Sequence, residues 1–251
     1  MSDETTNDDV GKGAAEEEGK YARYTSRFHA ALRFVAQRGL LKSVAWSAVS
    51  VTVIGLEKLK GLGKSFIIVA NHTSHLDTPL IMGSLPRDKA RYLAAGAAAD
   101  YFFDVTWRRG LTALFFNAFP VDRSGNNPRR IRPRGLLERG VPLLVFPEGT
   151  RSPDGRIGKF KPGAAALSIG TKSPVVPVAL IGCYQAHPRG SSWPKWGRLP
   201  VGVVYGEPMT AHASETAVDF ITRVQGEVAR LYDEYAEAIL NPHPKAEGDR
   251  S

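Results

Sequence analysis

His72 and Asp77 are the residues of this chain best placed by type and spacing to move a proton. They lie in Asn71-His72-Thr73-Ser74-His75-Leu76-Asp77, directly after the apolar run Phe66-Ile67-Ile68-Val69-Ala70. An imidazole held by a carboxylate is the minimum apparatus for general-base chemistry at neutral pH. On one continuous helix the two residues would stand about 140° apart, on different faces. They meet only if the backbone turns between them. Pro79 suits the first turn of a helix, with Thr78 as its N-cap, Asp77 just outside and His72 in the preceding loop. Asp77 would then fix the imidazole tautomer and stabilise the imidazolium that forms. His75 is the competing histidine. A second polar segment, Phe146-Pro147-Glu148-Gly149-Thr150-Arg151-Ser152, also closes an apolar run, Val141 to Val145. Two such segments ending two strands point to one composite site, since open α/β sheets bind at the carboxyl ends of their strands.

The elements that must position these residues alternate. Strands are expected at 48–54, 65–70, 90–94, 141–146, 174–181 and 200–205. Helices are expected at 79–84, 106–117, 128–139, 162–170 and 214–240. The last carries the stripe Val218, Ile221, Val224, Val228, Leu231 and Tyr235, with Ser214 as its cap. The alternation predicts an α/β fold with a mostly parallel central sheet flanked by helices. An amphipathic helix precedes it. The chain divides into an acidic tail expected to be disordered over 1–20, a basic amphipathic helix over 21–42, a catalytic domain over 43–240 and a flexible tail over 241–251. In the helix, Tyr21, Tyr24, Phe28, Leu32 and Val35 form a stripe among Lys20, Arg23, Arg27, Arg33, Arg38 and Lys42. Such a stripe either lies in a membrane interface or packs on the domain.

Composition is that of a globular chain, 43% hydrophobic and 23% charged over 251 residues. The net charge is +8, but residues 1–20 carry −5, which leaves +13 on the remainder and suits anionic partners. The lone Cys183 excludes an internal disulfide and a cysteine-based zinc cluster. The acidic start is unlike a secretory signal, and the longest apolar window, Ser43 to Leu56, is too short and polar for a membrane span. Tyr101, Phe102, Phe103, Trp107, Phe115 and Phe116 stand near Arg108 and Arg109, ahead of Arg129, Arg130, Arg132 and Arg134. Aromatics among cations suit a bilayer interface or, for the arginine run, a solvated helix face. No nucleic-acid motif accompanies them, and the histidines show no metal-ligand spacing.

Four ordered blocks carry a resemblance: His72-x4-Asp77, Val121-Asp122-Arg123, Phe146-Pro147-Glu148-Gly149-Thr150-Arg151 and Val176-Pro177-Val178. Together, across residues 45–205, they look like the glycerolipid acyltransferases, which include the bacterial 1-acylglycerol-3-phosphate acyltransferases. The resemblance implies transfer of a fatty acyl group from acyl-CoA or acyl-carrier protein to the hydroxyl of lysophosphatidate. The alternative acceptors are glycerol 3-phosphate, another lysophospholipid or a glycolipid; a catalytically silent membrane-binding protein of the same fold is the remaining reading. It implies His72 as base and Asp77 as its orienter. It implies Arg123, Glu148, Gly149, Thr150, Arg151 and Lys161 as substrate-binding residues, without cofactor or metal beyond the thioester co-substrate. Guanidinium groups at 123 and 151 suit an acceptor phosphate. Glu148 either anchors an acceptor hydroxyl or pairs with Arg151. Pro177 either shapes the sheet near the acyl chain or is a plain edge-strand proline. The implied location is the cytoplasmic face of the cell membrane, peripherally bound to an anionic surface. One departure stands out: the family's second block usually reads Gly-x-x-Phe-Ile-Asp-Arg, and here Asn117 replaces the glycine and Pro120 the phenylalanine.

Overall fold

In the computed structural model, the structure describes residues 18–98, 116–121, 131–191 and 193–242. Of the tails expected at 1–20 and 241–251, residues 1–17 and 243–251 lie outside them, as do the aromatic cluster around 101–115 and the arginines at 108, 109, 123, 129 and 130, while 18–20 are helical. The central element is a seven-stranded sheet of order β1-β7-β6-β2-β5-β3-β4. Its strands are β1 (Ser50–Ile54), β2 (Ile67–Ala70), β3 (Ala94–Ala98), β4 (Phe119–Val121), β5 (Leu143–Val145), β6 (Val175–Ile181) and β7 (Pro200–Tyr205). All neighbouring pairs are parallel except β6 with β7, so β1 and β7 run against the rest.

Every residue of β2 and β6 is buried. Strands covered on both faces need continuous apolar runs instead of alternation. Because successive side chains point to opposite faces, Ile67 and Val69 enter one core and Phe66, Ile68 and Ala70 the other. The first core packs the long C-terminal helix Ala217–Leu240 against the sheet through Phe220, Val224, Val228 and Leu231. The second packs helix Asp77–Ser84 through Leu80, Ile81 and Met82.

Several elements differ from the sequence reading. The strand expected at 90–94 begins only at Ala94, where β3 starts four residues later than expected, after a short helix, Arg87–Ala90, and a turn. β4, unforeseen, is a three-residue strand at the end of the sheet order that contains Pro120, where a missing N–H is tolerated. Pro177 is not at an edge: β6 lies between β7 and β2, and Pro177 pairs with Val69. The C-terminal helix is capped by Thr216, whose hydroxyl accepts from the Asp219 N–H, and not by Ser214, which sits at φ 67°. Val218 faces solvent, and Phe220 takes the core position expected of it.

The N-terminal segment is not one helix. Residues 18–25 are helical, Ser26 breaks the run and caps Arg27–Ala36, and a π-helical turn, Gln37–Leu41, leads into Lys42–Ala48. The reading that the stripe packs on the domain holds for part of it, and the rest faces solvent. Tyr21 and Tyr24 are buried in the first core. Phe28 (74%) and Val35 (67%) are exposed, as are Leu32, Leu40 and Val44. The inner face is pinned by cations: Arg23 Nη2 donates to Ala118 O at 2.7 Å and Arg38 Nη1 to Gly83 O at 2.7 Å. Arg33 is buried and donates to Arg91 O and Arg23 O. Burial, then the Arg23 charge, lowers its pKa to about 10, so it stays protonated at neutral pH.

Candidate active site

The strand order puts β5, β2 and β6 side by side and parallel, so their carboxyl ends open at one edge. β2 delivers Asn71 to Asp77, β5 delivers Phe146 to Arg151, and β6 leads into a short helix, Cys183–Ala186, that ends at His187. Asn71 is fully buried and clasps β6: its Nδ2 donates to Leu180 O at 2.9 Å and its Oδ1 accepts from Leu180 N–H at 2.7 Å. The amide thus continues the ladder one residue past the strand and fixes where the loop departs.

The turn between His72 and Asp77 is closed by the carboxylate itself. Asp77 Oδ2 accepts from Thr73 N–H at 2.7 Å and Ser74 N–H at 2.8 Å, and lies 2.8 Å from His72 Nδ1. Asp77 is wholly buried. The helix starts two residues earlier than the proline suggested, with Asp77 as its first residue and Leu76 as the cap. Ser74 Oγ accepts from Leu76 N–H at 3.1 Å, a turn-forming contact, and meets His187 Nδ1 at 3.2 Å. The His72 ring stacks on Phe146, centroids 4.0 Å apart. Its side chain is 21% exposed, and with Nδ1 held by Asp77, Nε2 is the nitrogen left to meet another molecule.

Both main-chain groups of His72 are held by the second segment. Glu148 Oε1 accepts from His72 N–H at 2.8 Å, and Ser152 N–H donates to His72 O at 2.8 Å. Glu148 Oε2 accepts from Gly158 N–H at 3.2 Å. Burial raises the Glu148 pKa, opposed by these two N–H groups. The carboxylate therefore faces main-chain donors in place of Arg151. Gly149 adopts φ 78°, and a Cβ there would lie 2.9 Å from Lys161 Nζ. The room left by the glycine is taken by that ammonium, while Lys161 N–H closes the turn onto Pro147 O at 3.0 Å. Thr150 is exposed and Arg151 half-buried. A cleft of about 310 Å³ opens beside Glu148, lined among others by Thr150, Arg151, Arg156 and Lys159. Arg132 and Arg134 are exposed, and Arg134 pairs with Glu138 one turn away on a solvated helix face.

Asn117 explains the departure in the second block. It sits at φ 48°, in the left-handed region that glycine enters freely and asparagine next most readily. Its Nδ2 donates to Tyr92 O at 3.2 Å, which holds the turn.

His187 escaped the sequence reading. It stands beside His75, ring centroids 5.9 Å apart. Its one sequence signal is its place just past an apolar strand. Desolvation, followed by the charges of Arg151, His187 and His72, lowers the His75 pKa to about 4. The fold therefore favours the neutral ring, an effect reduced by solvent because the His75 side chain is exposed. That contribution is complete above the ordinary value of 6.5 and is lost as pH falls toward about 4. The variant H75Q should flatten the fall in melting temperature across this window, as calorimetry at stepped pH would show. Cys183 is also beside the site, and burial, with Asp77 next, pushes its thiol well above the ordinary range. It is inert as a nucleophile at neutral pH.

These features define a class: an α/β protein with a buried carboxylate and an oriented imidazole at the open edge of parallel strands. A family model described as Acyltransferase matches residues 50–181. The chain belongs to the acyltransferase family. It is 29% identical over 197 residues to a 1-acyl-sn-glycerol-3-phosphate acyltransferase of Pseudomonas aeruginosa, covering 73% of this chain and 70% of that one. It is 29% identical over 188 residues to a chloroplastic protein of the same name from Brassica napus, covering 68% of this chain and 47% of that one. The chain thus spans about half the length of two chloroplastic relatives it matches, 47% and 45%. Among solved structures, it resembles the 1-acyl-sn-glycerophosphate (LPA) acyltransferase PlsC from Thermotoga maritima. The TM-score is 0.58 at 29% identity, over 79% of this chain and 81% of that one.

Proposed function

We propose that this protein transfers a fatty acyl group from an acyl thioester, on CoA or acyl-carrier protein, to the free hydroxyl of lysophosphatidate. The observation that carries the reading is the clamp on His72: its ring is oriented by Asp77 while its N–H and C=O are fixed by Glu148 and Ser152. With Nδ1–H donated to Asp77, Nε2 takes the proton of the acceptor hydroxyl as that oxygen attacks the thioester carbonyl. The tetrahedral intermediate collapses, the carbon–sulfur bond breaks, and the thiolate leaves with the proton returned from His72. The thioester is already activated, so no acyl-enzyme is required. Arg151, Lys161 and Arg123 bind the acceptor phosphate, and Thr150 and Gly149 border it. No cofactor takes part.

The reading is tested by thiol release from a long-chain acyl-CoA with and without lysophosphatidate. Release that depends on the acceptor supports it. Equal release without acceptor identifies a thioesterase and overturns it.

An acceptor that lives in a bilayer requires access to one. No helix among the described residues is long and apolar enough to cross a membrane. The outer face of the N-terminal arm supplies peripheral contact, with Phe28, Leu32 and Val35 entering the interface and flanking cations meeting anionic headgroups. The triple variant F28S/L32S/V35S should lose most vesicle binding in a sedimentation assay and keep its melting temperature. Deletion of the arm is the poorer test, because it also removes the buried Tyr21, Tyr24 and Arg33.

A further inference from the structure

The segment between the Cys183–Ala186 helix and β7 leaves two indoles in water. Trp196 is 92% exposed and Trp193 63%. Singly exposed apolar side chains are ordinary, but two indoles in water on one short segment form the kind of exposed apolar surface that marks an interaction site. The surrounding sequence, Pro188-Arg189-Gly190 before and Pro194-Lys195 and Gly197-Arg198 within, is cationic, and residues 188–199 contain no acidic side chain. The segment is built, not loose: Lys195 N–H donates to Ala186 O at 2.8 Å and Ser191 N–H to Pro188 O at 3.2 Å.

Its two ends fix its place. It starts at His187, which touches Ser74 and His75 beside the base. It ends beside the N-terminal arm, where Arg198 Nη2 donates to Trp46 O at 3.2 Å and Ser50 N–H to Leu199 O at 3.0 Å. The indoles therefore stand on the stretch of chain that joins the rim of the site to the arm.

We propose that this segment is a second membrane contact, with Trp193 and Trp196 inserted at headgroup depth of an anionic bilayer and Arg189 and Lys195 paired with lipid phosphates. An indole has an apolar body and one N–H donor, which suits the interface between hydrocarbon and water. The cations without neighbouring carboxylates complement an anionic lipid surface. Insertion here would press the His72 rim toward the leaflet that holds the acceptor. The inference rests on the reading of the acceptor as a bilayer lipid.

The test uses the full chain, vesicles of phosphatidylcholine with phosphatidylglycerol, and the variant W193A/W196A. Both side chains are exposed, so the fold should survive, as an unchanged melting temperature would show. The variant should bind vesicles at least about tenfold more weakly. Brominated lipid should quench the emission of the unmodified protein clearly more than that of the variant, which keeps Trp46 and Trp107. Turnover of a short-chain acceptor dissolved as monomers should stay the same in both. Unchanged vesicle binding, or equal quenching in both proteins, overturns the proposal. So does unchanged vesicle binding with a selective loss of rate when acyl-carrier protein is the donor, which would make the segment a protein dock. A fall in self-association as the main effect overturns it as well. Indole-dependent vesicle binding in a preparation that transfers no acyl group would uphold the contact while refuting the catalytic reading.

Discussion

The variant H72A should lower acyl transfer about 100- to 10,000-fold, the range a positioned general base contributes, with an unchanged circular dichroism spectrum. The side chain can be removed cleanly because the loop does not depend on it. The Glu148 and Ser152 contacts go to the His72 main chain and persist in alanine. Asp77 keeps two of its three partners, the N–H groups of Thr73 and Ser74. Replacing Asp77 is the less informative experiment. It removes the acceptor of three donors at a wholly buried position, so lost catalysis and a disordered loop would arrive together. Rates are best measured as thiol release with saturating acceptor. Retention of more than a few percent of activity would remove His72 from the base position.

What the sequence made legible and what it hid divide along a physical line. The ends of β2, β5 and β6 were readable because fully buried parallel strands need unbroken apolar runs, and the polar segments after them could only lie at the sheet edge. β3 was misplaced because Ala94-Ala95-Gly96-Ala97-Ala98 has no strand preference of its own; pairing with β5 and β4 decides it. The histidine and aspartate could be picked by residue type, but the turn between them is closed by three donors converging on one oxygen. That convergence has no sequence signature beyond the short spacing. Contacts across long separations were hidden altogether. The amide of Asn71 pairs with Leu180, and the Ser74 hydroxyl with His187, each joining residues more than a hundred positions apart. The arm was read as one amphipathic unit, yet the helix breaks at Ser26, with Tyr21 and Tyr24 before the break in the core and Phe28, Leu32 and Val35 after it at the surface.

Glu148 gives the second large effect, and its kinetics separate two roles that its sequence position left open. If the carboxylate held an acceptor hydroxyl, its loss would raise the KM for acceptor. Its geometry assigns it instead to the main chain: one oxygen on His72 N–H, the other on Gly158 N–H, which ties the base loop to the turn 76 residues onward. In E148A both half-buried donors lose their partner, at up to about 1–3 kcal/mol each, so the melting temperature should drop. E148Q is the sharper variant. A carboxamide offers one acceptor oxygen, and its NH2 must then face the other N–H, donor against donor. One of the two loop contacts opens, and His72 drifts relative to the thioester carbonyl. A displaced base costs rate more than binding, so kcat should fall at least about tenfold while the KM for lysophosphatidate moves less than about twofold. A rise in KM with kcat intact would place the Glu148 carboxylate on the acceptor, and the clamp would then be incidental to catalysis.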